Sequence, residues 1–177
     1  MLQFKLHLGG VPTAQMDAFA VSAEDFTPLV KGNTTTRQNF QFHHIPLRDA
    51  AKVLRILGKV GLSSREACGN TVRNVTGDPW AGVCDDEPFD ITPYGAAFVR
   101  HFVRHPDYQL MPRQFQVAFT SSDEDRAITL IHDLGFIPRV RDGVKGVEIN
   151  TGGGTSIMAR VGSTLYDFVE LDNGDYL

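Results

Sequence analysis

An arginine, an amide and an imidazole occur at alternate positions of one short segment near the N-terminus, TTTRQNFQFHHI, residues 34–45. The segment alternates as a β-strand does, and this period puts Arg37, Gln41 and His43 on the same side. A half-buried strand ordinarily gives that side to solvent or to the core. The spacing alone leaves open what a strand would do with an ordered row of these three side chains.

A second polar segment, NTVRNVTGDP, residues 70–79, contains Asn70, Arg73 and Asn74 between glycines. Its arginine and amide groups are donors suited to an anion or to several carboxylates. The alternative is a structural loop tied down by Asx turns. The spacing alone leaves both interpretations open.

Two further segments are candidates for ligand contact, one through polar side chains and one through a run of glycines. In MPRQFQV, Arg113 precedes a predicted strand that has Gln114 and Gln116 on one face, and the alternative there is an edge strand with a polar outer face. In NTGGGTS, the run Gly152, Gly153 and Gly154 follows a strand, so its backbone could approach a flat or anionic ligand closely. The run is neither a dinucleotide fingerprint nor a P-loop.

Metal and nucleophile chemistry find less support. His101 and His105 have the i, i+4 spacing of a metal pair, but no third ligand is in view, and we interpret the VRHFVRHP segment as a solvated basic face. No nucleophile elbow is present, so the sequence does not predict a hydrolase. We expect no metal to be bound directly by this chain.

The bulk properties limit the partners. The formal net charge of −4 and a pI near 5.8 argue against a nucleic-acid binder, so any basic patch must be local and directed at something small. Neither a secretory leader nor an apolar run of about 20 residues is present, so we expect a cytoplasmic protein that does not enter a membrane. In that reducing compartment Cys68 and Cys84 are expected to be free thiols.

The elements that must position these residues follow from periodicity and caps. Strands are predicted at residues 2–8, 34–45, 114–120, 137–141 and 146–150. Helices are predicted at 14–23, 46–59, 93–104 and 124–134, with Thr13, Thr92 and Asp123 as caps. Residues 63–88 are expected to be irregular, and the tail from Ser156 weakly helical.

Taken in order, these segments resemble the N-terminal half of the nitrite and sulfite reductase family, whose enzymes couple sirohaem to a [4Fe-4S] cluster. The resemblance runs from Phe4 to Phe168, and the tail LDNGDYL resembles the family's continuing segment. The segments that carry it are TTRQNFQFHHI, GLSSREACGNTVRNVTGDPWAGVC, PYGAAFVRHFVRHPD, MPRQFQVAF, IHDLGFI and GGG.

The resemblance implies an α+β fold: a ferredoxin-like half domain, residues 1–62, followed by an α+β sirohaem-binding half domain, residues 63–177. It also implies the six-electron reduction of nitrite or sulfite. Sirohaem carries many carboxylates, which arginines hold well. The implied cofactor contacts are Thr35, Arg37, Gln41, His43, Asn70, Asn74, Arg113 and Gly152 to Gly154. The implied catalytic positions are Arg73, Gln114, Gln116 and Lys5.

The sequence departs from the family in three ways. Gln114 and Gln116 stand where the family has lysines that face the substrate anion, and Lys5 is at best a substitute for a first-strand arginine. The family holds its cluster through four cysteines in the C-terminal half, and Cys68 and Cys84 match neither of its spacings. We therefore expect a cluster-bearing partner or a homodimer, and an electron donor such as ferredoxin. The alternative function is a non-catalytic tetrapyrrole-binding or assembly module.

Overall fold

The computed structural model describes residues 1–171, and the last six residues of the LDNGDYL tail lie outside the described residues. The helices are α1 (Thr13–Phe26), α2 (Leu47–Lys59) and α3 (Thr92–Phe102). The strands are β1 (Leu2–Phe4), β2 (Asn33–Thr34), β3 (Phe40–Phe42), β4 (Val72–Gly77), β5 (Phe115–Phe119), β6 (Leu134–Arg141), β7 (Val144–Thr151) and β8 (Ser163–Glu170). Short 3₁₀ helices occupy His7–Gly9, Pro106–Tyr108 and Thr129–Ile131. Within residues 1–171, no helix is long and apolar enough to cross a membrane.

The first sheet has the order β1-β3-β2, and its pairings are antiparallel. Phe4 and Phe42 of this sheet are fully buried. Their side chains pack against Phe19 of α1 and against Val53 and Leu57 of α2. Burial of each such side chain contributes about 1.5–3 kcal/mol. The alternation of apolar residues along β1 and β3 therefore determines which face of the sheet the two helices cover.

The second sheet has the order β4-β5-β6-β7-β8, in which β4 to β6 are parallel and β6 to β8 antiparallel. Phe98 of α3 contacts Phe119 and Phe136, so α3 covers the face of the sheet to which these rings point. Because side chains alternate along a strand, Gln116 of β5 lies on the opposite face. The mixed α+β class predicted from sequence is confirmed, and the domain division at residue 62 stays a prediction.

The predicted strand 34–45 is wrong, because the segment is a hairpin. Thr34 ends β2, residues 35–38 form a turn that we call the β2–β3 turn, and β3 begins at Phe40. The Thr35 backbone N–H donates to the Asn39 carbonyl (2.9 Å), and the Thr35 hydroxyl accepts from the Asn39 N–H (3.1 Å). A side chain that satisfies backbone groups competes with strand pairing, and this local bond produces the turn.

Two other expectations were wrong because tertiary pairing overrode local pattern. The stretch 63–88, predicted to be irregular, contains β4, whose Val72 and Val75 are buried. The tail predicted to be weakly helical forms β8, which pairs with β7. Long-range pairing of this kind leaves little local signal.

The helix predicted at 124–134 is also wrong. Asp125 accepts hydrogen bonds from the backbone N–H and the hydroxyl of Thr129, which favours a turn followed by the 3₁₀ helix Thr129–Ile131. Asp123 therefore caps no α-helix, and Gly135 lies within β6 instead of ending a helix. A Cβ at Gly135 would come within 2.6 Å of the Thr129 side chain, so this close crossing requires glycine.

The first strand and the helix starts differ in detail. β1 ends at Phe4, and Gln3 and Lys5, expected on an exposed face, are buried. Thr13 and Thr92 are the first residues of their helices rather than caps. By contrast, α2, β5 and the β6–β7 hairpin are confirmed to within a few residues.

Side-chain amides hold the β2–β3 turn against β4. The Gln38 amide donates to the Gly77 carbonyl (2.7 Å) and accepts from the Gly77 N–H (2.9 Å). The Asn74 amide donates to the carbonyls of Leu6 and Arg37, both at 2.9 Å. These four bonds place Arg37 over the second sheet.

Gln38→Ala is expected to lower the free energy of unfolding by about 1–3 kcal/mol, because it leaves the Gly77 N–H and carbonyl without these partners. The check is the urea midpoint at unchanged m-value. Thr36→Ala, at an exposed position of the same turn, is the matched control and is expected to change stability by less than about 0.5 kcal/mol. Equal midpoints for the two variants would contradict the role of the Gln38 amide.

Candidate functional site

Three adjoining cavities of about 380, 160 and 360 Å³ form one polar cleft, which we call the arginine cleft. The first two share Arg37 and Gln116, and the second and third share Arg73, so the cavities adjoin one another. The side chains that give the cleft its chemistry are those of Gln3, Thr35, Arg37, Gln41, Asn70, Arg73, Asn74, Arg113, Gln114, Gln116, Asp133 and Arg160. The cleft therefore brings together residues from both sheets.

Arg37 reaches the cleft from the β2–β3 turn. Its Nε is buried and has no hydrogen-bond partner within residues 1–171. Burial lowers the pKa of Arg37, as does the charge of Arg73, although Asp133 acts in the opposite direction. Arginine remains charged nonetheless, so the site holds a half-buried cation with an unused donor. Such a group is stabilised by an anionic acceptor.

Arg73 enters the cleft from β4. One terminal nitrogen donates to the Gln114 side-chain oxygen (2.9 Å) and, more weakly, to the Gly69 carbonyl (3.4 Å). Its Nε is buried without a partner in the described part of the chain. Gln114 thus orients the guanidinium, and the Nε of Arg73 is left without a partner within residues 1–171.

Asp133 supplies the carboxylate of the cleft. Its Oδ2 accepts from the backbone N–H of Gln116 (2.8 Å), which ties the end of the 3₁₀ segment to β5. The Gln116 side chain lines the cavities of about 380 and 160 Å³. Asp133 was not predicted from the sequence, because a lone aspartate after an apolar run gives no signal before the strand order is known.

Four side-chain amides of the cleft have partners within the protein. Gln41 donates to Gln3 (3.0 Å), directly opposite it in the β1–β3 register. Asn74 is committed to the bonds that hold the turn, and Asn70 at the rim donates to the Pro112 carbonyl (3.4 Å). Gln3 was not predicted as a cleft residue either, and the pairing of β1 with β3 is what places it beside Gln41.

The glycine run lines the largest cavity but uses its N–H groups internally. Gly152, Gly153 and Gly154 donate to the carbonyls of Asp133, His132 and Arg160 at 3.2, 3.0 and 2.9 Å. A Cβ at Gly153 would lie 2.3 Å from the Leu130 carbonyl oxygen, so close backbone packing requires this glycine. The run therefore shapes the cavity wall without offering a nest of donors.

Lys5 lies outside the arginine cleft. Its Nζ forms a buried ion pair with Glu66 (3.3 Å) and donates to the Val72 carbonyl (3.1 Å). Burial lowers the pKa of Lys5, although Glu66 partly offsets that effect. Burial by itself raises the pKa of Glu66, but hydrogen bonds from Gln109 and Lys5 outweigh it and leave that pKa below its usual value. This environment is that of a structural ion pair.

His43 likewise lines none of the three cavities. It follows β3, and its ring centroid is 6.3 Å from that of His44. The structure thus brings together the predicted arginines, glutamines and asparagines, with Thr35 and the glycine run, but neither Lys5 nor His43. The functional roles assigned from sequence stay predictions for all of them.

The cleft suits a polycarboxylate, because four arginines converge on it and two of them keep buried Nε donors without partners. A cysteine-ligated cluster does not fit this chain, which contains two cysteines where such clusters need four thiolates. Cys68 and Cys84 are free and lie near different residues, Gln3 and Ser121 respectively. Within residues 1–171, no group of three or more His, Cys, Asp or Glu side chains could hold a metal ion.

Fold and cleft together define an α+β protein with an arginine-lined cleft between its two sheets. The profile described as the nitrite/sulfite reductase ferredoxin-like half domain matches residues 1–60, and that of the nitrite and sulphite reductase 4Fe-4S domain matches residues 68–176. The chain belongs to the nitrite and sulfite reductase family.

Individual relatives agree with this assignment. The chain is 35% identical over 140 residues to the assimilatory ferredoxin-dependent nitrite reductase of Haloferax mediterranei, covering 76% of this chain and 24% of the relative. It is 32% identical over 142 residues to sulfite reductase [ferredoxin] 1 of Mycolicibacterium paratuberculosis, covering 77% and 24%. The structure of the Mycobacterium tuberculosis NirA protein superimposes with a TM-score of 0.85 at 28% identity, covering 94% of this chain and 30% of that one. The chain thus spans about a quarter to a third of the length of these proteins.

Lys5→Met is expected to lower the free energy of unfolding by about 3–5 kcal/mol, because it leaves the Glu66 carboxylate buried without its cation. Lys5→Met with Glu66→Met is expected to be less harmful than Lys5→Met alone. Urea unfolding near pH 7 measures both.

Lys52→Met is the control, since the Lys52–Asp49 pair is exposed on α2 and such pairs contribute about 0–1 kcal/mol. A Lys5→Met variant as stable as this control would show that the buried pair is not what holds Lys5, and would reopen its assignment to the anion site.

Proposed function

We propose that this chain is the sirohaem-binding half of a nitrite or sulfite reductase. The observation that carries the proposal is the arginine cleft, in which buried donors of Arg37 and Arg73 lack partners within the described residues. Membership of the family supports sirohaem as the ligand, because its carboxylates match these donors.

The residues of the cleft would divide the work by position. Arg37, Arg113 and Arg160 line the largest cavity and would hold carboxylates of the macrocycle. Arg73, oriented by Gln114, would face the substrate anion and favour its binding through a fixed positive charge. When bound, sirohaem supplies the iron and the macrocycle through which electrons reach the substrate, and this chain supplies orientation and electrostatic field.

The chain would act only with a partner that carries the cluster. That partner would be a second half or a separate subunit that contains the cluster cysteines. The alternative is a homodimer of this chain, to which another protein would add those cysteines. A ferredoxin is the electron donor that the names of several relatives suggest. The free thiols of Cys68 and Cys84 are consistent with a cytoplasmic location.

A second candidate function is a non-catalytic module that binds a tetrapyrrole or supports assembly. Gln114 and Gln116 line the cleft where the family has lysines, and Gln3 adds another neutral amide. An amide donates a hydrogen bond but does not relay a proton as an ammonium group does. Reduction of an anion needs those protons, whereas holding a macrocycle does not.

Arg37→Ala is expected to reduce sirohaem retention several-fold, because it removes a half-buried cation that has no other partner in the described structure. The chain is purified from cells that make sirohaem, and bound cofactor is measured as Soret absorbance and iron per chain. Arg48→Ala, at an exposed arginine of α2 outside the cleft, is the matched control. Retention that stays at the wild-type level in Arg37→Ala argues against the contact, and a colourless wild-type chain favours a role without sirohaem.

Gln114→Lys with Gln116→Lys is expected to raise the reduction rate of nitrite or sulfite in a complex reconstituted with a cluster-bearing partner. In other enzymes, removing a single electrostatic donor costs about 2.7–4 kcal/mol of transition-state stabilisation. The two lysines would supply stabilisation of this kind. Turnover with a chemical reductant gives the measurement. A rate unchanged by both lysines, with sirohaem still bound, would favour the non-catalytic function.

A further inference from the structure

A second cationic cavity, of about 300 Å³, lies beside α3 and shares no lining residue with the arginine cleft. We call it the α3 pocket. Its polar lining consists of Lys5, His7, Ser63, Arg65, Arg100 and Arg104. α3 covers the face of the second sheet opposite to Gln116, so the pocket and the cleft belong to different sides of that sheet.

Three of the charged side chains of the α3 pocket have no counter-ion in the described part of the chain, whereas Lys5 is paired with Glu66. The guanidinium groups of Arg65, Arg100 and Arg104 make no hydrogen bond or ion pair with any residue in the range 1–171. The nearby carboxylate of Glu66 is already engaged by Lys5 (3.3 Å) and Gln109 (2.6 Å). Several like charges therefore converge in a protein whose net charge is −4.

His7 also lines this cavity. Its Nδ1 is buried and lacks a hydrogen-bond partner among the described residues. Burial, followed by the charges of Lys5 and Arg104, lowers the pKa of His7 to about 4. The imidazole is therefore neutral near pH 7, and one of its nitrogens carries a proton that it can donate.

Two of the surrounding residues have a left-handed backbone conformation. Arg104, directly after the C-cap of α3, has φ of 69°, and Glu66 has φ of 60°. A left-handed residue directly after the C-cap is a common way for a helix to end, and at Arg104 it turns the chain away from α3 beside the pocket. Glu66, which pairs with Lys5, has the same left-handed conformation.

We propose that the α3 pocket binds a small tetrahedral oxyanion of the phosphate or sulfate class, either free or as a phosphate group of a larger molecule. Guanidinium groups bind such oxyanions through paired, charge-assisted hydrogen bonds, and His7 adds a neutral donor. The anion would neutralise the converging charges that nothing in the described chain neutralises. This site is independent of the function proposed for the arginine cleft.

The test is a titration of the full chain with inorganic phosphate at constant ionic strength, followed by NMR of the His7 ring and the backbone amides. Saturable shifts at His7 and Arg104 are expected. Arg100→Gln with Arg104→Gln is expected to raise the Kd at least about tenfold, since each charge-assisted bond accounts for roughly that factor. Arg55→Gln, at an exposed arginine of α2 outside the pocket, is the matched control and should leave the Kd unchanged.

Both pocket arginines are exposed, so the double variant is expected to fold, and its urea midpoint checks this. Shifts that do not saturate, or that sodium chloride reproduces at the same ionic strength, overturn the proposal, as does an unchanged Kd in the folded double variant. A second titration with methyl phosphate separates the two sources. Tighter binding than inorganic phosphate supports a phosphate ester, and equal or weaker binding supports the free ion.

Discussion

The contact of the β2–β3 turn with β4 positions the first sheet's Arg37 against the second sheet, and the arginine cleft depends on it. Gln38 binds both backbone groups of Gly77, and Asn74 binds the carbonyls of Leu6 and Arg37. Side-chain amides that pair with backbone groups fix direction as well as distance, which apolar packing alone does not. Arg37 belongs to the first sheet and Arg73 to the second, so their meeting in one cleft depends on these bonds.

The positive potential of the cleft arises from side chains. The glycine run directs its N–H groups to internal carbonyls, so it contributes shape, whereas in a phosphate-binding loop the same groups would contribute charge. Asp133 is the only carboxylate among the residues, all within 1–171, that line the three cavities, and one of its oxygens already accepts from Gln116. The cleft therefore keeps a net positive charge in an acidic protein, and a negatively charged ligand is the natural partner for it.

Local pattern in the sequence predicted those elements whose signal is local. α2 and the β6–β7 hairpin follow from periodicity and turn residues, and three cleft arginines, Arg37, Arg73 and Arg113, follow from the motifs in which they stand. Arg160 lies in no such motif and was not predicted. β4 and β8 were missed because their strand character comes from pairing with distant segments. The Thr35 hydroxyl and the Asp125 carboxylate redirected two segments through bonds to the backbone, which residue spacing does not reveal. Gln3 and Asp133 entered the cleft only once strand register was known.

Holding a polycarboxylate cofactor and reducing an anion on it place different demands on a protein. Retention needs fixed cations, and Arg37, Arg113 and Arg160, which line the largest of the three cavities, would supply them in the function proposed above. Reduction also needs protons delivered into a site from which water is largely excluded, and glutamine at positions 114 and 116 gives donors without that capacity. The cleft thus satisfies the first demand more fully than the second. In the proposed reductase, any proton supply for catalysis would therefore have to come from a partner chain or from water.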